Sequence, residues 1–170
     1  MRAGVTPTDR SWSVETGGPG QTRALGRRLG AAARPGDALL LTGPVGAGKT
    51  VLADGFLEGL GVPGPHPSPT FTLMRLYRGR LPVAHLDLYR LVGQEAQEGE
   101  DALLDLPEFQ GGGGVAVIEW AEALPAGSLR DPLTVRLSVG TGLRRELVLT
   151  ARAARAAEWA AAVGEGGMLR

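Results

Sequence analysis

The eight residues Gly43-Pro44-Val45-Gly46-Ala47-Gly48-Lys49-Thr50 carry the spacing G-x-x-x-x-G-K-[ST]. That spacing serves phosphate chemistry. Its glycines let the backbone wrap close to phosphate oxygens. The N–H groups of the loop and of the following helix N-terminus then point at the negative charge. Lys49 would reach the terminal phosphates, and the Thr50 hydroxyl would ligate Mg²⁺. Lys49 is also the only lysine in a chain that has no Asn and no Cys and is rich in Ala, Gly, Arg and Leu. Such a composition puts arginine wherever arginine serves. A compact ammonium fits a phosphate cradle that a planar guanidinium does not.

Phosphoryl chemistry needs more than a loop. It needs a carboxylate near the metal and a group that places the attacking oxygen. Glu119 ends the apolar run Val115-Ala116-Val117-Ile118. In an open α/β sheet such a strand end is where ligands sit. The other reading of Glu119 is a strand-terminal charge facing water. Asp87 lies on an alternating run in which His85, Asp87 and Tyr89 share one face. Its other reading is a surface salt bridge. His85 and Tyr89 read as packed or solvated side chains. Trp120 has three open readings: core, partner surface or nucleotide contact. The acidic stretch Glu95–Asp101 reads as a solvated face.

These residues need elements to hold them. Ala38–Thr42 is a short apolar run that predicts a buried strand, and Val51–Leu60 predicts a helix with Leu52, Phe56 and Leu60 on one face. Strand, Gly-rich turn, helix is the context the loop requires. Upstream, Trp12–Val14 predicts a strand, Gly17–Gly20 a turn, and Gln21–Ala33 a helix ended by Arg34-Pro35-Gly36-Asp37. Downstream, Thr72–Tyr77 and Leu81–Tyr89 predict an antiparallel hairpin around Arg78-Gly79-Arg80. Gln94–Asp105 reads as an acidic helical stretch and Gly111–Gly114 as a loop. Val115–Ile118 reads as a central strand. Leu133–Val139 and Arg145–Thr150 form a second predicted hairpin, and Ala151–Val163 a closing helix.

The sum is an α/β fold: one P-loop domain over residues 1–170, with residues 1–10 and 164–170 as loose ends. The expected sheet is mixed and mostly parallel, with antiparallel hairpins added and helices on both faces. At 170 residues one domain has enough chain for a core. The formal net charge is zero and no Lys/Arg run occurs, which argues against independent gripping of nucleic acid. Zero cysteines exclude disulfides and thiolate metal sites. Without a signal-like apolar core or a membrane-length apolar run, the expectation is a cytoplasmic protein with no membrane partner.

Four motifs in order, GPVGAGKT at 43–50, SPTFTL at 68–73, HLDLYRL at 85–91 and IEW at 118–120, make the chain resemble the bacterial TsaE (YjeE) ATPases. These support synthesis of threonylcarbamoyladenosine in tRNA. The resemblance runs from about Thr22 to the second hairpin. It implies an Mg-dependent ATPase with ATP and Mg²⁺ as cofactors. It also implies TsaD and TsaB as partners, with tRNA met indirectly through that complex. Nucleotide contacts would come from Gly43, Val45, Gly46, Ala47, Gly48, Lys49, Thr50 and Val51. Thr50 and Glu119 would bind Mg²⁺, and Asp87 with Lys49 would serve hydrolysis. Residues 68–72 would form a switch segment. The segment before Thr22 and the turn near Arg144 would lie by adenine and ribose. Gly17-Gly18-Pro19-Gly20 departs from the family, which often has an acidic helix start there.

Competing readings remain. A small-molecule kinase would use the same loop with an acceptor pocket and an Arg-bearing lid, for which the Arg75–Arg90 region could be mistaken. A regulatory GTPase would need the guanine-reading N-K-x-D, which a chain without Asn cannot write. A non-hydrolysing nucleotide-dependent adaptor is the third.

Overall fold

The computed structural model describes residues 9–93 and 103–164. They form one seven-stranded sheet of order β1-β7-β6-β2-β5-β4-β3. The strands are β1 Arg10–Thr16, β2 Ala38–Thr42, β3 Met74–Arg78, β4 Pro82–Asp87, β5 Val115–Glu119, β6 Leu133–Val139 and β7 Arg145–Ala151. The helices are α1 Pro19–Ala32, α2 Lys49–Gly59, α3 Leu106–Gly111 and α4 Ala154–Gly164. The central pairings β6·β2, β2·β5 and β5·β4 are parallel. The pairings β1·β7, β6·β7 and β3·β4 are antiparallel. Parallel pairing is therefore confined to the centre; the β3–β4 hairpin finishes one side, and the β6–β7 hairpin with β1 along its edge the other.

The central strands are apolar on both faces because both faces are covered. On β5, Val115 and Val117 enter a core with Leu25 and Leu29 of α1, Leu52, Phe56 and Leu57 of α2, and Trp159 of α4. Ala116 and Ile118 face the other way, into a smaller core with Leu86, Leu88 and Leu106 of α3. Strand parity thus decides which side each functional side chain takes. His85 and Asp87 alternate with Ala84 and Leu86, and Glu119 follows Val117. All three acquire the α2 side.

The helix pair α1·α2 packs closer than side chains allow. A Cβ added to Gly30 would lie 2.1 Å from the Phe56 carbonyl oxygen, and one on Gly55 would lie 2.1 Å from that of Arg23. Gly26 and Gly59 make equally tight approaches to Leu52 and Arg27. Arg23 adds a salt bridge to Glu58 across the same seam. The contact presses α2, and so the glycine-rich loop at its head, against α1.

Several boundaries differ from the sequence reading. The Gly17–Gly20 turn is shorter, because Pro19 opens α1 at a position where its missing N–H costs nothing. β1 starts at Arg10 rather than Trp12 and pairs with β7 along its length. β4 stops at Asp87, and Tyr89 begins a 3₁₀ turn, Tyr89–Leu91, instead of extending the strand face. The acidic stretch expected at Gln94–Asp105 lies mostly outside the described residues. No helix among the described residues is long and apolar enough to cross a membrane.

Candidate functional site

The loop between β2 and α2 has the local shape its glycines permit. Gly48 sits at φ 102° as the residue before the helix. Gly43, at φ 133°, passes so near β6 that a Cβ would lie 2.2 Å from the Leu137 carbonyl oxygen. Lys49 folds back into the loop. Its Nζ donates to the carbonyls of Gly43 at 2.5 Å and Pro44 at 2.8 Å. It also lies 3.8 Å from the centroid of the Trp120 ring, a cation–π distance. Burial pushes the Lys49 ammonium below its usual pKa, and the carboxylates of Glu122, Glu119 and Asp87 oppose that shift. Trp120 reaches Lys49 because its backbone is left-handed, φ 57°, turning the chain sharply after Glu119. Tyr89 packs on the same ring, centroids 5.0 Å apart.

The two carboxylates are lateral neighbours, since Asp87 and Glu119 pair in register across β4·β5. Each is held by donors. Glu119 Oε2 accepts from the Thr50 hydroxyl at 2.7 Å, and Oε1 from His85 Nε2 at 2.8 Å. Asp87 Oδ2 accepts from the hydroxyls of Ser68 at 2.7 Å and Thr70 at 2.8 Å. Its Oδ1 accepts from the Tyr89 backbone N–H at 3.0 Å. Both carboxylates are buried, so neither is the water-facing charge or surface salt bridge that the sequence left open.

These groups meet in one cleft of about 570 Å³ at the C-terminal ends of β2, β4 and β5. Its volume falls in the range of small-ligand sites. Val45, Gly46, Gly48, Lys49, Thr50 and Val51 form one wall, and Ser68, Thr70, Asp87 and Glu119 another. Gly43 and Ala47 stand behind the loop: Gly43 as the acceptor for Lys49, Ala47 wholly buried. Pro19, Thr22, Leu143 and Arg145 line the cleft as well. Arg144 turns outward to Glu15 at 3.0 Å, while Arg145 donates to the Gly46 carbonyl at 3.2 Å. The hairpin expected near the base therefore reaches the cleft through Leu143 and Arg145. Arg75, Arg78, Arg80 and Arg90 do not line it, and Arg80 instead caps the carbonyls of Gly30 and Ala33 at the end of α1. Sequence reasoning missed Arg145 and the His85 contact, because both depend on which strands become neighbours.

Among the described residues no cluster of three His, Cys, Asp or Glu side chains offers a ready metal site. The donors present, a threonine hydroxyl 2.7 Å from a buried carboxylate oxygen, are hard oxygens. They suit Mg²⁺, which takes one or two protein oxygens and completes its shell with phosphates and water.

Comparison with known proteins identifies the family of the chain. The family model "Threonylcarbamoyl adenosine biosynthesis protein TsaE" matches residues 17–147. A protein of Bacillus subtilis named tRNA threonylcarbamoyladenosine biosynthesis protein TsaE is 39% identical over 134 residues, covering 78% of this chain and 81% of its own. Its namesake in Mycobacterium tuberculosis is 42% identical over 122 residues, 68% and 72% of the two chains. That of Streptomyces coelicolor is 41% identical over 123 residues, 71% and 80%. The crystal structure of Bacillus subtilus YdiB superposes with a TM-score of 0.76 at 30% identity, covering 93% of this chain and 97% of that one. Matched by the family model over most of its length and 39–42% identical to these TsaE relatives, the chain belongs to the TsaE family, named for threonylcarbamoyladenosine biosynthesis.

Proposed function

We propose that this protein is an Mg-dependent ATPase that acts with TsaB and TsaD in forming threonylcarbamoyladenosine in tRNA, in the cytoplasm. The observation that carries the ATPase reading is the convergence of Lys49, Thr50, Glu119 and Asp87 on one cleft beside a phosphate loop. The Lys49 ammonium, now on the carbonyls of Gly43 and Pro44, exchanges them for phosphate oxygens. Thr50 and Glu119 would hold Mg²⁺, which when bound supplies positive charge against the phosphates. Asp87 accepts a hydrogen bond from the attacking water and orients it. For that, Oδ2 exchanges the hydroxyls of Ser68 and Thr70 for the water, so residues 68–72 act as the switch segment. The relatives' names support the tRNA pathway, and the neutral net charge suits action through protein partners.

The test measures phosphate release from ATP without any acceptor, first alone and then with TsaB, TsaD and substrate tRNA. Release without an acceptor, rising in the mixture alongside modified tRNA, is expected. A phosphorylated small molecule in place of free phosphate would instead establish a kinase.

A further inference from the structure

Glu119 has a neighbour that the ATPase reading leaves unused. His85 lies on the adjacent strand and gives its Nε2–H to Glu119 Oε1 at 2.8 Å. Side-chain exposure is 1% for His85 and 2% for Glu119. His85 Nδ1 is buried with no hydrogen-bond partner among the described residues. The imidazole therefore has one polar contact, and that contact is Glu119. A buried polar ring with an unpaired nitrogen is costly on a strand face otherwise built from residues such as Val83 and Val117. An aliphatic side chain would fill the same space without that cost.

We propose that His85 is a positioning residue that makes Glu119 a one-oxygen ligand. By occupying Oε1 it leaves only Oε2, the oxygen already beside the Thr50 hydroxyl, to face a cation. The proposal rests on the Mg²⁺ site proposed above. Mg²⁺ demands a compact, near-octahedral shell, whereas the larger Ca²⁺ accepts a carboxylate through both oxygens. Residues that orient a ligand from behind commonly change metal affinity by about ten- to hundredfold. Without the Nε2–H, Glu119 can rotate and offer both oxygens. His85 thus sets the preference of the site for Mg²⁺ over Ca²⁺.

The experiment titrates the full chain with a non-hydrolysable ATP analogue in Mg²⁺, in Ca²⁺ and in EDTA. In His85→Phe the affinity gained from Mg²⁺ should fall about ten- to hundredfold. The Ca²⁺ gain should fall less, and the EDTA affinity should hold. In His85→Gln, whose amide nitrogen can replace Nε2, most of the Mg²⁺ gain should return. A purely structural role would move all three conditions together. A responsive parent whose His85→Phe variant keeps the full Mg²⁺ gain overturns the proposal and leaves the Mg²⁺ site standing. A parent indifferent to Mg²⁺ removes the metal reading itself, and this inference with it. Should His85→Phe fail to fold, the unaltered chain decides by NMR. Its two histidines make the His85 Nε2–H signal assignable with a His66 variant. Adding Mg²⁺ to the analogue-bound protein should shift that signal, and an unmoved signal overturns the proposal.

Discussion

Asp87 and Glu119 are both buried carboxylates on adjacent strands, yet their partners differ, and so should the effects of losing their charge. Glu119 faces the Thr50 hydroxyl, as the proposed Mg²⁺ site requires. In Glu119→Gln the amide keeps the shape, and Thr50 can turn its hydroxyl to accept. The fold should survive while the charge that hard cations prefer is lost. The Mg²⁺ dependence of ATP binding should weaken; a variant responding to Mg²⁺ as the parent does would reduce Glu119 to a structural strand end. Asp87 instead faces hydroxyls on residues 68–70. In Asp87→Asn the retained oxygen can still accept from the Tyr89 N–H, and the new amide can donate to Ser68 and Thr70. ATP affinity should stay within a few-fold. Hydrolysis in the mixture with TsaB and TsaD should fall roughly a hundredfold or more, the scale of a lost acid–base group. Hydrolysis at the parent rate would leave Asp87 a structural or partner-binding residue.

At the scale of elements, the α1·α2 seam makes a prediction that helix propensity alone would get backwards. Alanine in place of a helical glycine usually stabilises by up to about 1 kcal/mol. Gly20, in the first turn of α1, has nothing within 4 Å of the place a methyl would take, so Gly20→Ala should raise the melting temperature slightly. In Gly55→Ala the methyl meets the Arg23 carbonyl oxygen, a backbone atom that cannot step aside. Overpacking of this kind costs roughly 1–3 kcal/mol. Gly55→Ala should therefore melt below the parent, because the helices must separate. Parallel thermal melts check both, and a stabilised Gly55→Ala would show that the seam is looser than described.

At the scale of the molecule, the cleft joins segments far apart in the chain: Pro19, the loop at 45–51, Ser68 and Thr70, the ends of β4 and β5, and Arg145. A ligand bridging them stabilises only the folded state. At a hundredfold excess over Kd the gain is about 2.7 kcal/mol. For a domain of this size that is a rise of roughly 5–11 °C in melting temperature. An Mg²⁺–ATP analogue should produce it in the parent. Lys49→Ala should abolish most of the shift while melting near the unliganded parent, because its ammonium contacts loop carbonyls and one ring rather than the core. An unchanged ligand shift in that variant would sink the phosphate-loop assignment.

Local chemistry was legible in the chain itself. The glycine spacing, the lone lysine and the apolar run ahead of Glu119 each act within a few residues, so the loop, its strand and helix, and both hairpins could be read directly. Strand parity also placed His85 and Asp87 on one face. Tyr89 escaped that pattern because the N–H bond it gives to Asp87 accompanies a turn at the strand end, which periodicity does not register. What belonged to tertiary structure was adjacency. That β4 lies beside β5 puts Asp87 level with Glu119 and His85 within reach of it. That the β6–β7 hairpin leans over the loop brings in Arg145 and leaves Arg144 outside. Those neighbours are chosen by sheet order and by two helices meeting glycine to backbone. Such long-range packing has no signature in the spacing of any one segment.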